Sequence, residues 1–194
     1  MIVLLMKAPQ IGRVKTRLAA SIGNEAALQI YARCVARMFA ALKASGRPWR
    51  VAYDPPGSAA MIAAEFGPFE GFAQTSGDLG ARMKHAFESA FKKADRVVLI
   101  GSDAPQIDAA LLNTALEELH EHDCVIGPAG DGGYYLIGFT RSGFAPEAFD
   151  NMVWSVPDVF GQTQKRLSRQ RVAVLPTLSD LDTIDDYQRL KEYL

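Results

Sequence analysis

The sequence has 194 residues with a formal net charge of −1; 48% of the residues are hydrophobic and 22% are charged. This composition fits one globular domain, residues 1–194, and the near-neutral charge argues against a nucleic-acid-binding face. No apolar run approaches the roughly 18 residues of a membrane span, and the short run at 2–6 lacks the features of a signal peptide. We therefore expect a cytoplasmic protein that binds neither membranes nor nucleic acid.

Strand-like and helix-like patterns alternate from one end of the chain to the other. Predicted strands are Ile2–Met6, Trp49–Tyr53, Phe72–Gln74, Val97–Ile100, Cys124–Ile126, Tyr134–Phe139 and Val172–Leu175. Predicted helices begin after the capping residues Asn24, Asp78 and Asp108, and the last of these runs to about Glu121. Two more cover Ser58–Glu65 and Asp158–Arg169. A final helix begins after Asp182, where Thr183 can serve as the cap and Asp186 can complete a capping box. The alternation predicts a Rossmann-like, three-layer α/β/α fold whose sheet is mostly parallel. The two strands on either side of Gly130–Gly133 are close enough in sequence to pair antiparallel, which makes the sheet mixed.

The first predicted strand leads into a basic loop. Four cations, Lys7, Arg13, Lys15 and Arg17, lie within eleven residues. The loop stands where mononucleotide folds place their phosphate loop, although the Walker A pattern is absent. A solvated basic turn is the alternative, and the position favours phosphate binding, with Lys15 and Arg17 as the leading cations.

Acidic residues follow two distant predicted strands. Asp103 comes directly after the buried run at 97–100, in the turn Gly-Ser-Asp-Ala-Pro. Asp180 and Asp182 stand two residues apart, and in extended backbone such residues project to the same side. We expect Asp103, Asp180 and Asp182 to share a Mg²⁺ or Mn²⁺ ion, because carboxylate oxygens are the ligands these cations prefer.

Two glycine-containing segments leave their roles open. The segment at 76–82 opens a helix, and its pattern alone favours a plain Asp78 N-cap after a turn. The segment at 127–135 has four glycines in seven residues, which fits a ligand-binding backbone and an ordinary hairpin turn equally well. Trp154 is typical of a packing anchor or a pocket wall.

Six ordered motifs are spread over almost the whole chain: K-A-P-x-x-G-x-V-K-T-R-L, G-D-L-G-x-R-M, G-S-D-x-P, G-P-A-x-D-G-G-Y-Y-L-I-G, V-x-W-S and D-x-D-T. Together they resemble the glycosyltransferase-like family related to the 2-phospholactate and phosphoenolpyruvate guanylyltransferases, whose wider group has the GT-A, nucleotide-diphospho-sugar transferase fold.

The resemblance implies that the loop at 15–17 and the turn at 77–80 hold the nucleotide. It also implies that Asp103, Asp180 and Asp182 bind the metal, and that Asp131, Gly132, Gly133 and Tyr134 contact the acceptor. Taking the resemblance and the patterns above together, we expect Lys15, Arg17 and Asp103 to be catalytic. We expect the nucleotide to lie on Ala8, Pro9, Gly12, Lys15, Arg17, Gly77, Asp78, Gly80 and Ser102, and the acceptor to contact Trp154 as well.

Three functions are compatible with these residues. The first is a Mg²⁺-dependent nucleotidyltransferase that moves a nucleoside monophosphate from a triphosphate to a small phosphorylated or carboxylate acceptor. The second is a glycosyltransferase with a nucleotide-sugar donor, and the third is a non-catalytic nucleotide-binding module. The sequence leaves the acceptor, the base and the oligomeric state open.

Overall fold

A computed structural model describes residues 1–154 and 156–194. Ser155, the last residue of the V-x-W-S motif, lies outside the described residues. The strands are β1 Ile2–Lys7, β2 Trp49–Asp54, β3 Gly71–Ala73, β4 Arg96–Ile100, β5 Cys124–Pro128, β6 Tyr134–Thr140 and β7 Val172–Val174. The α-helices are α1 Thr16–Ile22, α2 Asn24–Ala44, α3 Ala59–Phe66, α4 Leu79–Phe91, α5 Ala109–Glu118, α6 Val159–Arg166 and α7 Ile184–Leu190, with 3₁₀ turns at Pro146–Phe149 and Lys191–Tyr193.

The strands form one mixed sheet in the order β3-β2-β1-β4-β6-β5-β7. Strand β1 pairs in parallel with β2 and β4, while β6 runs antiparallel to both β4 and β5. The predicted mostly parallel, mixed sheet is therefore confirmed. The chain runs outward from β1 to β3 and then returns to β4 on the other side of β1. The carboxyl ends of β1 and β4 thus form a topological switch point, where open α/β sheets place their ligands.

Alternation along the central strands produces the three layers. Ile2, Leu4 and Met6 pack on one face of the sheet with α2, α3 and α5. Val3 packs on the opposite face, where Phe87 of α4 and Phe149 of the first 3₁₀ turn form an aromatic cluster with Phe139. Because the central strands are covered on both sides, they consist of nearly continuous apolar runs.

Three helix boundaries differ from the prediction. Asn24 is the first residue of α2 and does not cap it. The short helix α1 ends at Ile22, and the single residue between the two helices, Gly23 with φ of 85°, turns the chain directly into α2. Helix α1 itself was not predicted, since no side chain caps its start. Helices α5 and α6 end at Glu118 and Arg166, before the predicted Glu121 and Arg169.

Three predicted caps are confirmed. Asp78 and Asp108 accept hydrogen bonds from the backbone N–H groups of Ala81 and Leu111, and the donor–acceptor distance is 2.8 Å in both. Thr183 and Asp186 form a capping box at the start of α7.

Within residues 1–154 and 156–194, no helix has the length and apolar character needed to cross a membrane.

Candidate active site

A cavity of about 700 Å³ opens at the carboxyl end of the sheet. Its size suits a nucleotide-sized ligand, since small-molecule sites commonly measure 300–1,000 Å³. The floor comes from the ends of the central strands, including Met6, Ile100 and Leu136. Charged side chains rim the floor in two groups, one around Lys15 and one around Arg82.

Lys15 lies at the centre of the first group, with only 3% of its side chain exposed. Its Nζ contacts Oδ1 of Asp103 and lies 3.2 Å from Oδ1 of Asp182. Burial lowers the pKa of Lys15, but the two carboxylates more than offset this, and the net pKa is raised. Lys15 therefore carries a charge, and it neutralises part of the acidic group.

The backbone brings the two acidic segments together. The N–H of Leu181 donates a 2.9 Å hydrogen bond to the carbonyl of Asp103. Nearby, the N–H of Ser179 donates to the side-chain carbonyl of Gln106 over 3.0 Å. These contacts place the segment at 179–182 against the loop that follows β4. Carboxylates far apart in sequence consequently line one cavity.

Asp180, in this acidic group, has a strongly raised pKa. Its pKa is raised to about 7, first by burial and then by the charges of Asp103, Asp131 and Asp182, while Lys15 opposes the shift. Asp180 therefore sits in a surplus of negative charge that Lys15 only partly offsets.

Such a surplus is the setting in which a divalent cation is stabilised. Within residues 1–154 and 156–194, no three His, Cys, Asp or Glu side chains are grouped closely enough to hold a metal ion. The ammonium of Lys15 instead touches both Asp103 and Asp182. The donor set is nevertheless that of a hard cation, because it consists only of carboxylate oxygens and includes the partly buried Asp180.

Lys15 has an unusual backbone. It adopts the left-handed conformation, with φ of 47° and ψ of 43°, at the residue before α1. A non-glycine residue in this region is strained and often marks a functional site. The side chain of Arg17, two residues later, is 71% exposed and pairs with Oδ2 of Asp182 at 2.5 Å. The conformation of the loop thus directs two cations to one carboxylate.

Several residues that were predicted to bind the nucleotide have structural roles in burial, turns or helix capping. Ala8 is buried and donates a 2.7 Å hydrogen bond to the carbonyl of Asp54. Gly12, with φ of 73°, turns the loop that also contains Pro9. Asp78 is a helix cap, and Gly80 packs against Phe149 and Trp154. Of the predicted nucleotide residues, the cavity wall includes Lys15, Arg17, Gly77 and Ser102.

Most of the predicted acceptor segment forms a turn beside the cavity. Asp131 accepts a 2.9 Å hydrogen bond from the N–H of Gly133. Gly132 has φ of 89° and packs so tightly that a Cβ there would lie 1.9 Å from the carbonyl oxygen of Pro157. Tyr134 lines the cavity. Trp154 packs against Gly80 on α4, in keeping with the packing role that its sequence context indicated.

Several polar cavity residues were not assigned a role from the sequence, among them Tyr31, Asp54, Gln74 and Arg82. The hydroxyl of Tyr31, in α2, donates a 2.8 Å hydrogen bond to the carbonyl of Lys7 and lies 3.4 Å from the hydroxyl of Ser102. Tyr31 therefore connects the end of β1 with the loop that follows β4. Arg82, Asp54 and Gln74 form the second charged group. Arg82 belongs to the G-D-L-G-x-R-M motif, which was the available signal for it.

Comparison with known families and structures agrees with this fold. The profile of a family described as "Uncharacterized protein conserved in bacteria (DUF2064)" matches residues 34–156. A Desulfovibrio desulfuricans G20 protein, provisionally named a nucleotide-diphospho-sugar transferase, is 40% identical, with a TM-score of 0.92 over 97% of this chain and 85% of its own. No curated protein matches the sequence.

More distant structures share the fold alone. A cytidylyltransferase from Leptospira borgpetersenii is 17% identical, with a TM-score of 0.64 over 98% of this chain and 84% of its own. Rv0371c from Mycobacterium tuberculosis H37Rv, solved in complex with manganese, is 18% identical, with a TM-score of 0.57 over 100% of this chain and 98% of its own. Together with the Desulfovibrio desulfuricans structure, they confirm the expected GT-A-like architecture.

Proposed function

The chain belongs to the bacterial family DUF2064, and from that membership and the cavity we propose that it is a nucleotidyltransferase. It transfers a nucleoside monophosphate from a nucleoside triphosphate to a small phosphorylated or carboxylate acceptor, with Mg²⁺ or Mn²⁺ as the cation. The named relatives that share the fold, among them a cytidylyltransferase, support transfer from a nucleotide. Residues 1–194 form the catalytic domain in this proposal, and the cytoplasm is its compartment.

One observation carries the proposal. At the switch point of the sheet, the buried Lys15 contacts Asp103 and Asp182 beside the perturbed Asp180. A plain binding module for an anion has no need of a cluster of carboxylates, because carboxylates repel phosphate. A catalyst that handles phosphates through a cation needs both the carboxylates and a positively charged side chain.

The proposed reaction is an in-line displacement at the α-phosphorus. An oxygen of the acceptor forms a bond to phosphorus, the bond to the bridging oxygen of the β-phosphate breaks, and the electron pair leaves with pyrophosphate. Lys15 and Arg17 stabilise the charge that develops on the departing pyrophosphate. The acceptor oxygen is already ionised at neutral pH, so the reaction requires no general base.

The cation would be held by Asp103, Asp180 and Asp182, whose side chains would have to move closer together than they lie in the structure. A divalent ion bound there would neutralise charge on the phosphate oxygens and make the α-phosphorus more open to attack. Without a cation, Asp103 and Asp182 share the ammonium of Lys15. Lys15 is therefore free to turn towards the phosphates once a cation relieves the acids of their excess charge.

The acceptor is proposed to lie against the turn at 131–134 and Trp154. The negative charge of Asp131 contributes to the raised pKa of Asp180, so this turn borders the acidic group. Tyr134 forms part of the cavity wall.

A second candidate is glycosyl transfer from a nucleotide sugar. The provisional name of the Desulfovibrio desulfuricans protein, 40% identical over 97% of this chain, favours it. The same cavity would then hold the nucleoside diphosphate as the leaving group.

Product analysis separates the candidates. The purified protein is incubated with Mg²⁺, each of the four nucleoside triphosphates and a panel of small phosphorylated acids and carboxylates. Nucleotidyl transfer is expected to release pyrophosphate with at least one pair, and EDTA is expected to stop it. Release of nucleoside diphosphate from nucleotide sugars supports the second candidate. Metal-independent nucleotide binding without any product would make the protein a binding module.

A further inference from the structure

The second charged group of the cavity is centred on Arg82. Its NH1 lies 3.3 Å from Oδ2 of Asp54 and 3.3 Å from Oε1 of Gln74, while its Nε donates to the carbonyl of Gly77 over 3.3 Å. Arg82 and Asp54 each have 27% of the side chain exposed. All four residues line the same cavity as Lys15. The cavity thus has a second polar end whose role the reaction above leaves unassigned.

Gln74 determines the geometry of this end. Its amide nitrogen donates to the backbone carbonyls of Ala52 at 2.8 Å and Met6 at 3.2 Å. Because both partners are acceptors, the orientation of the amide is fixed, and its carbonyl must point to Arg82. Arg82 is consequently held by a carboxylate, an amide and a backbone carbonyl before any ligand arrives. An arginine held in this way loses little further freedom on binding.

The charge of this end differs from that of the Lys15 end. Arg82 is paired with a carboxylate that also faces the cavity, so the pair is close to neutral and offers donors beside an acceptor. A phosphate gains little from such a pair, because Asp54 repels it. The Arg82–Asp54 pair is instead complementary to a neutral ring that carries both acceptor and donor atoms on one edge. A nucleobase is a ring of this kind.

The position along the sheet agrees with that assignment. Asp54 ends β2 and Asp103 follows β4, and these strands flank β1. Neighbouring strands are spaced by about 4.8 Å, which places the two ends about 10 Å apart. This is the scale on which a nucleotide separates its phosphates from its base. Apolar floor residues lie between the two polar ends.

We infer that Arg82 and Asp54 bind the edge of the nucleobase and thereby select which nucleoside triphosphate the protein accepts. This inference rests on the proposed function. It adds a specificity-determining pair to the phosphate and metal residues. Gln74 acts through Arg82 and is a positioning residue.

The test compares ligands with and without a base. Affinities for the four nucleoside triphosphates and for inorganic tripolyphosphate are measured by calorimetry, with Mg²⁺ present throughout. Arg82→Met is expected to weaken binding of the preferred nucleotide roughly tenfold to hundredfold, the range of a lost charged hydrogen bond. It is also expected to flatten the preference among the four bases. The affinity for tripolyphosphate is expected to stay unchanged.

Two further variants keep the result interpretable. Arg82→Lys retains the charge but loses the planar fork, so it is expected to lose part of the base preference while folding normally. Lys84→Met removes a neighbouring cation of α4 that pairs with Asp150 outside the cavity, and no affinity is expected to change.

Equal weakening of tripolyphosphate and nucleotides would overturn the inference, because Arg82 would then bind phosphate. Unchanged nucleotide affinity in both Arg82 variants would overturn it as well. If the wild-type protein binds no triphosphate, this inference and the proposed function both fail. If it binds a triphosphate with a base preference that Arg82→Met removes, yet releases no pyrophosphate, only the proposed function fails.

Discussion

A single lysine decides how the acidic side chains of the site are arranged. Lys15 contacts Asp103 and Asp182, although the sequence suggested a phosphate-binding cation in one place and metal-binding acids in another. The ammonium and a divalent cation would compete for the same carboxylates. At the residue scale, we therefore expect metal binding and the position of Lys15 to be coupled.

Replacing Lys15 with methionine is expected to tighten binding of Mn²⁺ to the nucleotide-free protein by about tenfold, or about 1.4 kcal/mol. Removal of the buried ammonium leaves Asp103 and Asp182 without their internal partner, so a cation gains more from binding there. Titration of Mn²⁺ followed by electron paramagnetic resonance measures the affinity. Lys93→Met, which removes an exposed lysine paired with Glu70, is the control, and weaker Mn²⁺ binding in Lys15→Met would contradict the competition.

Asp103→Asn is expected to lower pyrophosphate release by at least about a hundredfold, the usual scale for loss of one stabilising group. The fold should persist, because the backbone carbonyl of Asp103, and not its side chain, holds Leu181. Thermal unfolding and product release are measured on the same sample. Asp108→Asn is the matched control on the same loop, since asparagine caps a helix about as well as aspartate. Retained activity in Asp103→Asn would remove this residue from the mechanism.

At the scale of elements, the turn between β5 and β6 shows why glycine-rich segments are ambiguous in sequence. Gly132 is required because its φ is positive and Pro157 approaches it closely. The N–H of Phe160, in α6, also donates a 2.9 Å hydrogen bond to the carbonyl of Gly132. The turn thus joins the sheet to the segment that follows Trp154. Packing accounts for Gly132 whether or not the turn also contacts an acceptor.

Gly132→Ala is expected to lower the free energy of unfolding by about 2–4 kcal/mol, because the new methyl group meets Pro157 and φ is unfavourable. For a chain of this length, that corresponds to a fall in Tm of about 5–15 °C. Differential scanning calorimetry makes the measurement. Gly130→Ala is the control, since its nearest neighbour would be the carbonyl oxygen of Leu178 at 3.7 Å. Equal stability of the two variants would show that the close approach to Pro157 is not needed.

At the scale of the whole molecule, the site is assembled from the ends of the sheet and from the segment before α7. Ligand binding should therefore stabilise the entire fold, since in the proposed function the triphosphate and the cation would contact elements from both halves of the chain. The magnitude follows from linkage between binding and unfolding.

A preferred nucleoside triphosphate at a hundred times its Kd, together with Mg²⁺, is expected to stabilise the protein by about 2.7 kcal/mol. This raises Tm by about 5–10 °C. Differential scanning fluorimetry with and without EDTA makes the measurement. Because the cation offsets the repulsion between phosphates and carboxylates, EDTA is expected to remove most of the shift. A shift that persists in EDTA would count against a metal-dependent site.

The sequence by itself determined the layered α/β fold, the mixed sheet and most element positions, because apolar periodicity and capping residues such as Asp78, Asp108 and Thr183 act locally. It also predicted Asp103, Asp180 and Asp182 as candidate metal ligands. Only the tertiary structure decided that Lys15 lies among these acids, that Arg82 is held by Asp54 and Gln74, and that Ala8 and Gly80 serve packing. These relations join residues far apart in the chain, and local patterns carry no information about which side chains meet across a sheet edge.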